Sequence, residues 1–198
     1  RNLTDKKRIV SVVPNLTIVT PSRWLGDLVS ASYLGQYPVT VLHNGVNRRV
    51  FRPVESGLRD RYGIGSGKLL LGVANVWEPR KGLDTLLALV PLLPKGWRMA
   101  IIGLNPRQLA ALPEGVIGIA RTRDAGELAA WYTAADVYVN PTMEDNFPTT
   151  HLEALACGTP VAAYGAGGSG EMLDPSCGRC VPAGDFHGLR GAIEACME

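Results

Sequence analysis

The sequence predicts an α/β protein built on a doubly wound parallel sheet, and three observations carry that prediction. From Lys68 to the end, strand-like and helix-like segments alternate with little between them, the pattern that right-handed crossovers turn into parallel strands with helices on both faces. The first of these strands, Leu69 to Ala74, is a continuous apolar run rather than an in-and-out alternation, as expected of a strand covered on both sides. A chain of 198 residues, 46% hydrophobic and 19% charged, has enough length and apolar content to bury a core and is not disordered.

Taken in order, Ile9 to Val13 is a β-branched run and Leu16 to Thr20 another, so both read as strands. Thr20-Pro21-Ser22 supplies a turn and a cap, after which Trp24, Leu25, Leu28 and Val29 recur at helical spacing. Val39 to Leu42 is a third strand. His43-Asn44-Gly45-Val46-Asn47 and Phe51-Arg52-Pro53 follow, with Asn44-Gly45 readable as an ordinary turn. Beyond Lys68 the expected order is strand 69–74, helix 82–93, strand 99–103, helix 107–112, strand 116–120, helix 125–135 and strand 136–140. A loop and a helix from about Pro148 to Ala156 or Cys157 come next. Strand 161–164, a glycine-rich turn, a short helix near 170–173, a strand around 179–182 and a last helix from Phe186 complete the chain.

The totals exclude several classes. A formal charge of +2 with scattered Lys and Arg predicts no nucleic-acid partner; Lys6-Lys7-Arg8 and Arg48-Arg49 read as solvated clusters. No apolar run approaches the ~20 residues that span a bilayer, and no signal peptide is evident. Cys177-Gly178-Arg179-Cys180 has the gap of a metal or redox pair, but no second ligand pair is suitably spaced, so a turn into a strand is the favoured reading and no metal site is expected. There is no G-x-G-x-x-G and no Walker lysine motif, which argues against a dinucleotide cofactor or a P-loop.

In a doubly wound sheet ligands gather at the carboxyl ends of the strands, and the loops there are informative. Pro148 suits a first helical position, because its fixed φ fits and its missing N–H is not needed. The first turn, at Thr149 and Thr150, then offers unpaired N–H groups and a positive dipole to an anion. Glu144 and Asp145 would repel a bare phosphate, yet they suit a ligand that also brings hydroxyls. Glu153 is the sole formally charged residue from Phe147 to Tyr164. An unpaired buried carboxylate costs roughly several kcal/mol, so it faces solvent or a polar partner. The spacing is served equally by first-turn carboxylates that merely stabilise a helix. Across the sheet, Arg80 and Lys81 precede a helix start whose dipole disfavours cations; a diphosphate would explain them, and so would plain exposure.

The acids Asp145 and Glu153, with seven residues between them and followed by Ala-Leu-Ala-Cys-Gly-Thr-Pro-Val, resemble the signature of the retaining GT-B glycosyltransferases, family four (glycosyl transferases group 1). Lys81-Gly82 is similar to the family's diphosphate-binding Lys-Gly, Asn44-Gly45-Val46-Asn47 with Phe51-x-Pro53 to its domain crossover, and Gly167-Gly168-x-x-Glu171 to an element lining the cleft. Three positions depart from the pattern. Asp145 stands for the usual Glu with Glu144 one place early, Asn47 stands for Asp, and Asn75 stands where an Arg is usual, with Arg80 nearby.

The resemblance implies a C-terminal, Rossmann-like, nucleotide-sugar-binding domain over 54–198. Residues 1–53 would then be the tail of an N-terminal, acceptor-side domain, with the hinge near 44–56. It implies Asp145, Glu144 and Lys81 as catalytic residues. Around the donor it implies Glu153, Arg80, Asn75, Asn146, Phe147, Pro148, Thr149, Thr150, Gly103 and Arg121, the last of which would stack on the base. The expected donor is a UDP-, GDP- or ADP-sugar and the acceptor a glycan or lipid-linked, with no cofactor and no metal. The implied setting is the cytoplasm, compatible with peripheral attachment at the inner face of the membrane. By itself the chain is expected to bind donor without turnover. A non-catalytic nucleotide-binding module and a GT-B-like sugar-nucleotide epimerase or hydrolase are the rival classes.

Overall fold

The computed structural model describes residues 2–197. The chain divides into two compact units, Arg1–Asn44 and Gly45–Glu198. In the smaller one, α1 (Asn2–Val10) precedes β1 (Ile18–Thr20), α2 (Arg23–Ser30) and β2 (Val39–Val41). The two strands pair in parallel, Ile18 opposite Val39. Ser22 caps α2 as the sequence suggests, its hydroxyl accepting from Leu25 N–H at 3.1 Å. The strand expected over Ile9–Val13 is not there: Ile9 and Val10 end a helix and Ser11–Val13 form a turn, with Val13 N–H donating to Val10 O at 3.1 Å. Asp5 in the first turn and Lys7 and Arg8 in the last suit the helix dipole. With Pro14 closing the run, local helix formers outweigh the β preference of three valines and an isoleucine.

The larger unit holds six parallel strands: β3 (Leu69–Val73), β4 (Arg98–Ile102), β5 (Val116–Ile119), β6 (Val137–Asn140), β7 (Val161–Tyr164) and β8 (Gly178–Val181). Their spatial order is β5-β4-β3-β6-β7-β8. The chain therefore winds outward from β3 in one direction, then returns to its other side at β6 and winds outward again. Between β3 and β6 the order reverses, and a crevice opens there at the strands' carboxyl ends. Strand side chains alternate between two apolar layers. Leu69, Leu71, Ala100 and Tyr138 pack with α6 (Ala125–Ala134), α7 (Thr149–Ala156) and α3 (Leu58–Arg61). Leu70, Met99, Ile101 and Val139 pack with α4 (Leu83–Leu89), α5 (Pro106–Ala110) and α8 (Phe186–Ala195). Helices thus cover both faces, as the apolar run at 69–74 requires.

Three local details differ from expectation. The helix expected over 82–93 ends at Leu89 and tightens into a 3₁₀ turn over Val90–Leu92, because Pro91 has no N–H to continue it. Pro148 stands at the N-cap (ψ 114°), one place before the first helical residue. The four-residue α3 has no counterpart in the sequence reading. Its Arg59 bonds Ala134 O at 2.6 Å and Asp136 at 3.1 Å, and also reaches Gly67 O. Asp136 further takes Lys68 at 3.0 Å and Leu69 N–H at 2.9 Å. Burial pushes its carboxyl up, but the Leu69 N–H, Lys68 and Arg59 outweigh burial and hold it below its ordinary value.

Residues 45–53 go with the larger unit rather than with the N-terminal stretch. Phe51 packs edge-on against Tyr132, ring centroids 6.3 Å apart, and Val54 N–H donates to Thr133 Oγ1 at 3.3 Å.

Candidate functional site

A cavity of about 410 Å³ opens where β3 and β6 end. The loop after β3 forms one wall, from Asn75 through Trp77 to Lys81, and Asn140, Asp145 and Phe147–Thr150 form the other. Trp77 is buried, its indole N–H donating to Ile102 O at 2.9 Å, which fixes that wall to the sheet. Gly82 turns the chain with φ +77°, and a Cβ there would run into the Pro141 carbonyl. Only glycine lets the Lys81 loop lie against the loop after β6.

Hydrogen bonds then clasp the two loops. Met143 N–H donates to Arg80 O at 2.8 Å and Thr142 Oγ1 donates to the same carbonyl at 3.3 Å. Lys81 Nζ and Asp145 Oδ2 form an ion pair at 2.9 Å, with both side chains largely enclosed. Arg80 bonds Glu78 at 2.9 Å and reaches Glu144 O at 3.3 Å. Pro148 has no side chain with which to cap α7, so the first-turn N–H groups at Thr149 and Thr150 stay open at the cavity. Cations, a positive helix end and a carboxylate thus converge on one enclosed space. That arrangement suits a polyanion carrying hydroxyl groups.

The predicted residues separate into three groups. Asn75, Arg80, Lys81, Asp145, Phe147, Pro148, Thr149 and Thr150 all line the cavity. Glu144 and Asn146 are exposed on the same loop, outside the lining; of the two candidate acids, Asp145 is the one facing Lys81. Gly103, Arg121 and Glu153 lie off this cavity. Gly103, at φ +96°, is dictated by its turn, since a Cβ would meet the Ala74 carbonyl. Arg121 is exposed. Glu153 is half-buried and accepts from Tyr132 Oη at 3.1 Å. Burial pushes its carboxyl up and the Tyr132 hydroxyl offsets part of that.

Other functional candidates escaped the sequence reading. Tyr138 lines the floor, its hydroxyl buried and pushed up, mainly by desolvation. Asn140 and His151 form a buried pair at 2.8 Å. Trp77 could have been singled out as the aromatic in the strand-end loop. Tyr132 and His151 had no signal, because helical spacing alone makes them core residues.

The glycosyl transferases group 1 family matches residues 67–198. The chain belongs to that family. Among curated relatives it is 32% identical over 186 residues to a D-inositol 3-phosphate glycosyltransferase of Thermobispora bispora, covering 82% of this chain and 42% of the relative. A Pseudarthrobacter chlorophenolicus protein of the same name is also 32% identical, over 98% of this chain and 46% of its own length. The chain thus spans less than half the length of the curated relatives it matches. Among solved structures, sucrose-phosphate synthase from Thermosynechococcus elongatus superposes with TM-score 0.81 at 24% identity, over 97% of this chain and 51% of that one. Anabaena HepE in complex with UDP-glucose gives 0.80 at 19% identity, over 100% and 58%. These likenesses show the fold: a six-stranded parallel sheet with helices on both faces, as in the Rossmann-like C-terminal domains of GT-B glycosyltransferases. Among the described residues of this family member, no helix is long and apolar enough to cross a membrane.

Proposed function

We propose that residues 45–198 are the donor-binding domain of a retaining, metal-independent hexosyltransferase that uses a nucleotide-diphosphate sugar. The observation that carries the reading is the convergence of Lys81, Arg80 and the uncapped first turn of α7 on one cavity, with Asp145 opposite Lys81. The HepE structure, solved with UDP-glucose, supports a nucleotide sugar as the donor class. As the glycosidic bond breaks, the leaving diphosphate gains charge. Lys81 and the open N–H groups at Thr149 and Thr150 stabilise that charge more than they stabilise the ground state, which is what accelerates the step. Asp145, freed from Lys81 by the diphosphate, accepts hydroxyls of the sugar. Glu153 lies off this cavity beside Tyr132, and in this reading it is the second acceptor of hydroxyls, those of a ribose that extends beyond the cavity.

The acceptor is a glycan or a lipid-linked saccharide, bound by the rest of the protein, and residues 1–44 belong to that acceptor-side half. The enzyme works in the cytoplasm, at the inner face of the membrane when its acceptor is lipid-linked. The chain alone binds donor and does not turn over. Calorimetric titration with UDP, GDP and ADP tests the reading. One nucleotide should bind saturably and Glu153→Ala should weaken it. Failure of all three to bind removes the donor-site assignment for this chain, and sugar transfer by the chain alone removes the assignment of the acceptor site elsewhere.

A further inference from the structure

Behind the cavity wall lies an imidazole that the proposed chemistry does not use. His151, in the first turn of α7, is 0% exposed, and burying a polar ring is costly unless its nitrogens are bonded. Its Nε2 lies 2.8 Å from Asn140 Nδ2. Its Nδ1 makes no hydrogen bond of normal geometry, although the Ser169 backbone lies beside the ring. The ring packs edge-on against Tyr138, centroids 5.9 Å apart. An aliphatic side chain would fill this space without the desolvation cost, so the contact with Asn140 is what the imidazole adds.

Burial lowers the His151 pKa to about 4, against the opposing pull of the Asp145 carboxylate and the Ser169 backbone. A neutral imidazole carries one N–H. With that N–H on Nδ1, beside the Ser169 backbone, Nε2 is an acceptor, and Asn140 must present its NH₂ to it. A carboxamide has two unlike ends, so committing the NH₂ to His151 turns Oδ1 the other way. Asn140 ends β6 and lines the cavity. The opposite tautomer would reverse the amide and offer NH₂ to the cavity, which suits a phosphate oxygen.

We propose that His151 is a positioning residue: it orients the Asn140 carboxamide so that Oδ1 faces the cavity and selects a hydroxyl of the bound sugar over a phosphate oxygen. The inference rests on the donor-binding reading above and adds a specificity determinant to it.

Two measurements on the full chain test it. Nitrogen-15 NMR of the ring should show the neutral Nδ1–H tautomer; an Nε2–H ring overturns the positioning. Calorimetry would compare UDP with UDP-glucose and GDP with GDP-mannose. In His151→Phe, which keeps a ring and removes the acceptor, affinity for the nucleotide sugar should fall about tenfold while that for the nucleoside diphosphate stays unchanged. His151→Gln, whose Oε1 reaches the place of Nε2, should restore the sugar affinity. Equal losses on both ligands, or a Gln variant no better than Phe, overturn the proposal in favour of simple packing. Should His151→Phe fail to fold, Asn140→Ala must give the same split between the two ligands. Should the wild-type chain bind neither ligand, the donor-binding reading falls and the selectivity with it.

Discussion

Replacing Glu153 by Gln should stabilise the protein while weakening nucleotide binding. The carboxyl is half-buried on α7, and its pKa is raised by burial, with the Tyr132 hydroxyl at 3.1 Å offsetting only part. A group whose carboxyl holds its proton more tightly in the folded than in the unfolded state lowers stability as pH rises from the unfolded pKa through the folded one. The penalty is therefore absent in acid and complete at neutral pH. Gln keeps an oxygen for Tyr132 and removes the charge. At pH 7 the gain should be on the order of 1 kcal/mol, discounted from a full-burial figure because part of the carboxylate remains in water. Below the ordinary Glu pKa the gain should vanish. Urea unfolding at pH 4 and pH 7 measures the difference, and titration with the cognate nucleoside diphosphate measures the binding loss. Destabilisation at pH 7, or the same gain at both pH values, would refute the account of Glu153 as a strained functional carboxylate.

Lys81→Ala should weaken nucleoside diphosphate binding by roughly one to two orders of magnitude, as expected for loss of a charge-assisted phosphate contact. Titration at two salt concentrations would show a smaller salt dependence in the variant. Asp136→Asn should cost about 2–3 kcal/mol at neutral pH, since Arg59, Lys68 and the Leu69 N–H all lose their charged acceptor. Because the folded pKa of Asp136 is depressed, its contribution is present above the unfolded pKa and is lost as pH falls through the folded one. The gap between wild type and variant in urea unfolding should close accordingly in acid. Gly82→Ala should destabilise by roughly 1–3 kcal/mol, from a positive φ and the collision with Pro141 O, read as a lower urea midpoint.

Where each strand's burial is dictated from both sides, the fold was legible. Leu69–Val73 has no polar face, so nothing but a central strand of a helix-covered sheet accounts for it. Ile9–Val13 failed for the complementary reason. A short β-branched run specifies a strand only if a neighbour supplies its ladder, and here the preceding Asp5-Lys6-Lys7-Arg8 turn continues into it while Pro14 cuts it off. Arg59 was illegible because its partners Asp136 and Ala134 are about seventy-five residues away. Local spacing contains no trace of such a bond.

The candidate site divides along the same line. Lys81, Asp145, Thr149 and Thr150 stand at strand ends and a helix start, where the chain's own periodicity locates them. Lys81 stands before a helix start whose dipole disfavours a cation, which is a readable sign of an external ligand. Tyr132 and His151 sit in the middle of apolar periodicity, and each has the bulk of a core residue. Their polar atoms matter only through partners that the fold delivers, Glu153 in one case and Asn140 in the other. A side chain that departs from the local pattern can be found from sequence; one that conforms to it while holding another in place needs coordinates. The groups that aim the site's polar atoms are therefore the ones that periodicity hides.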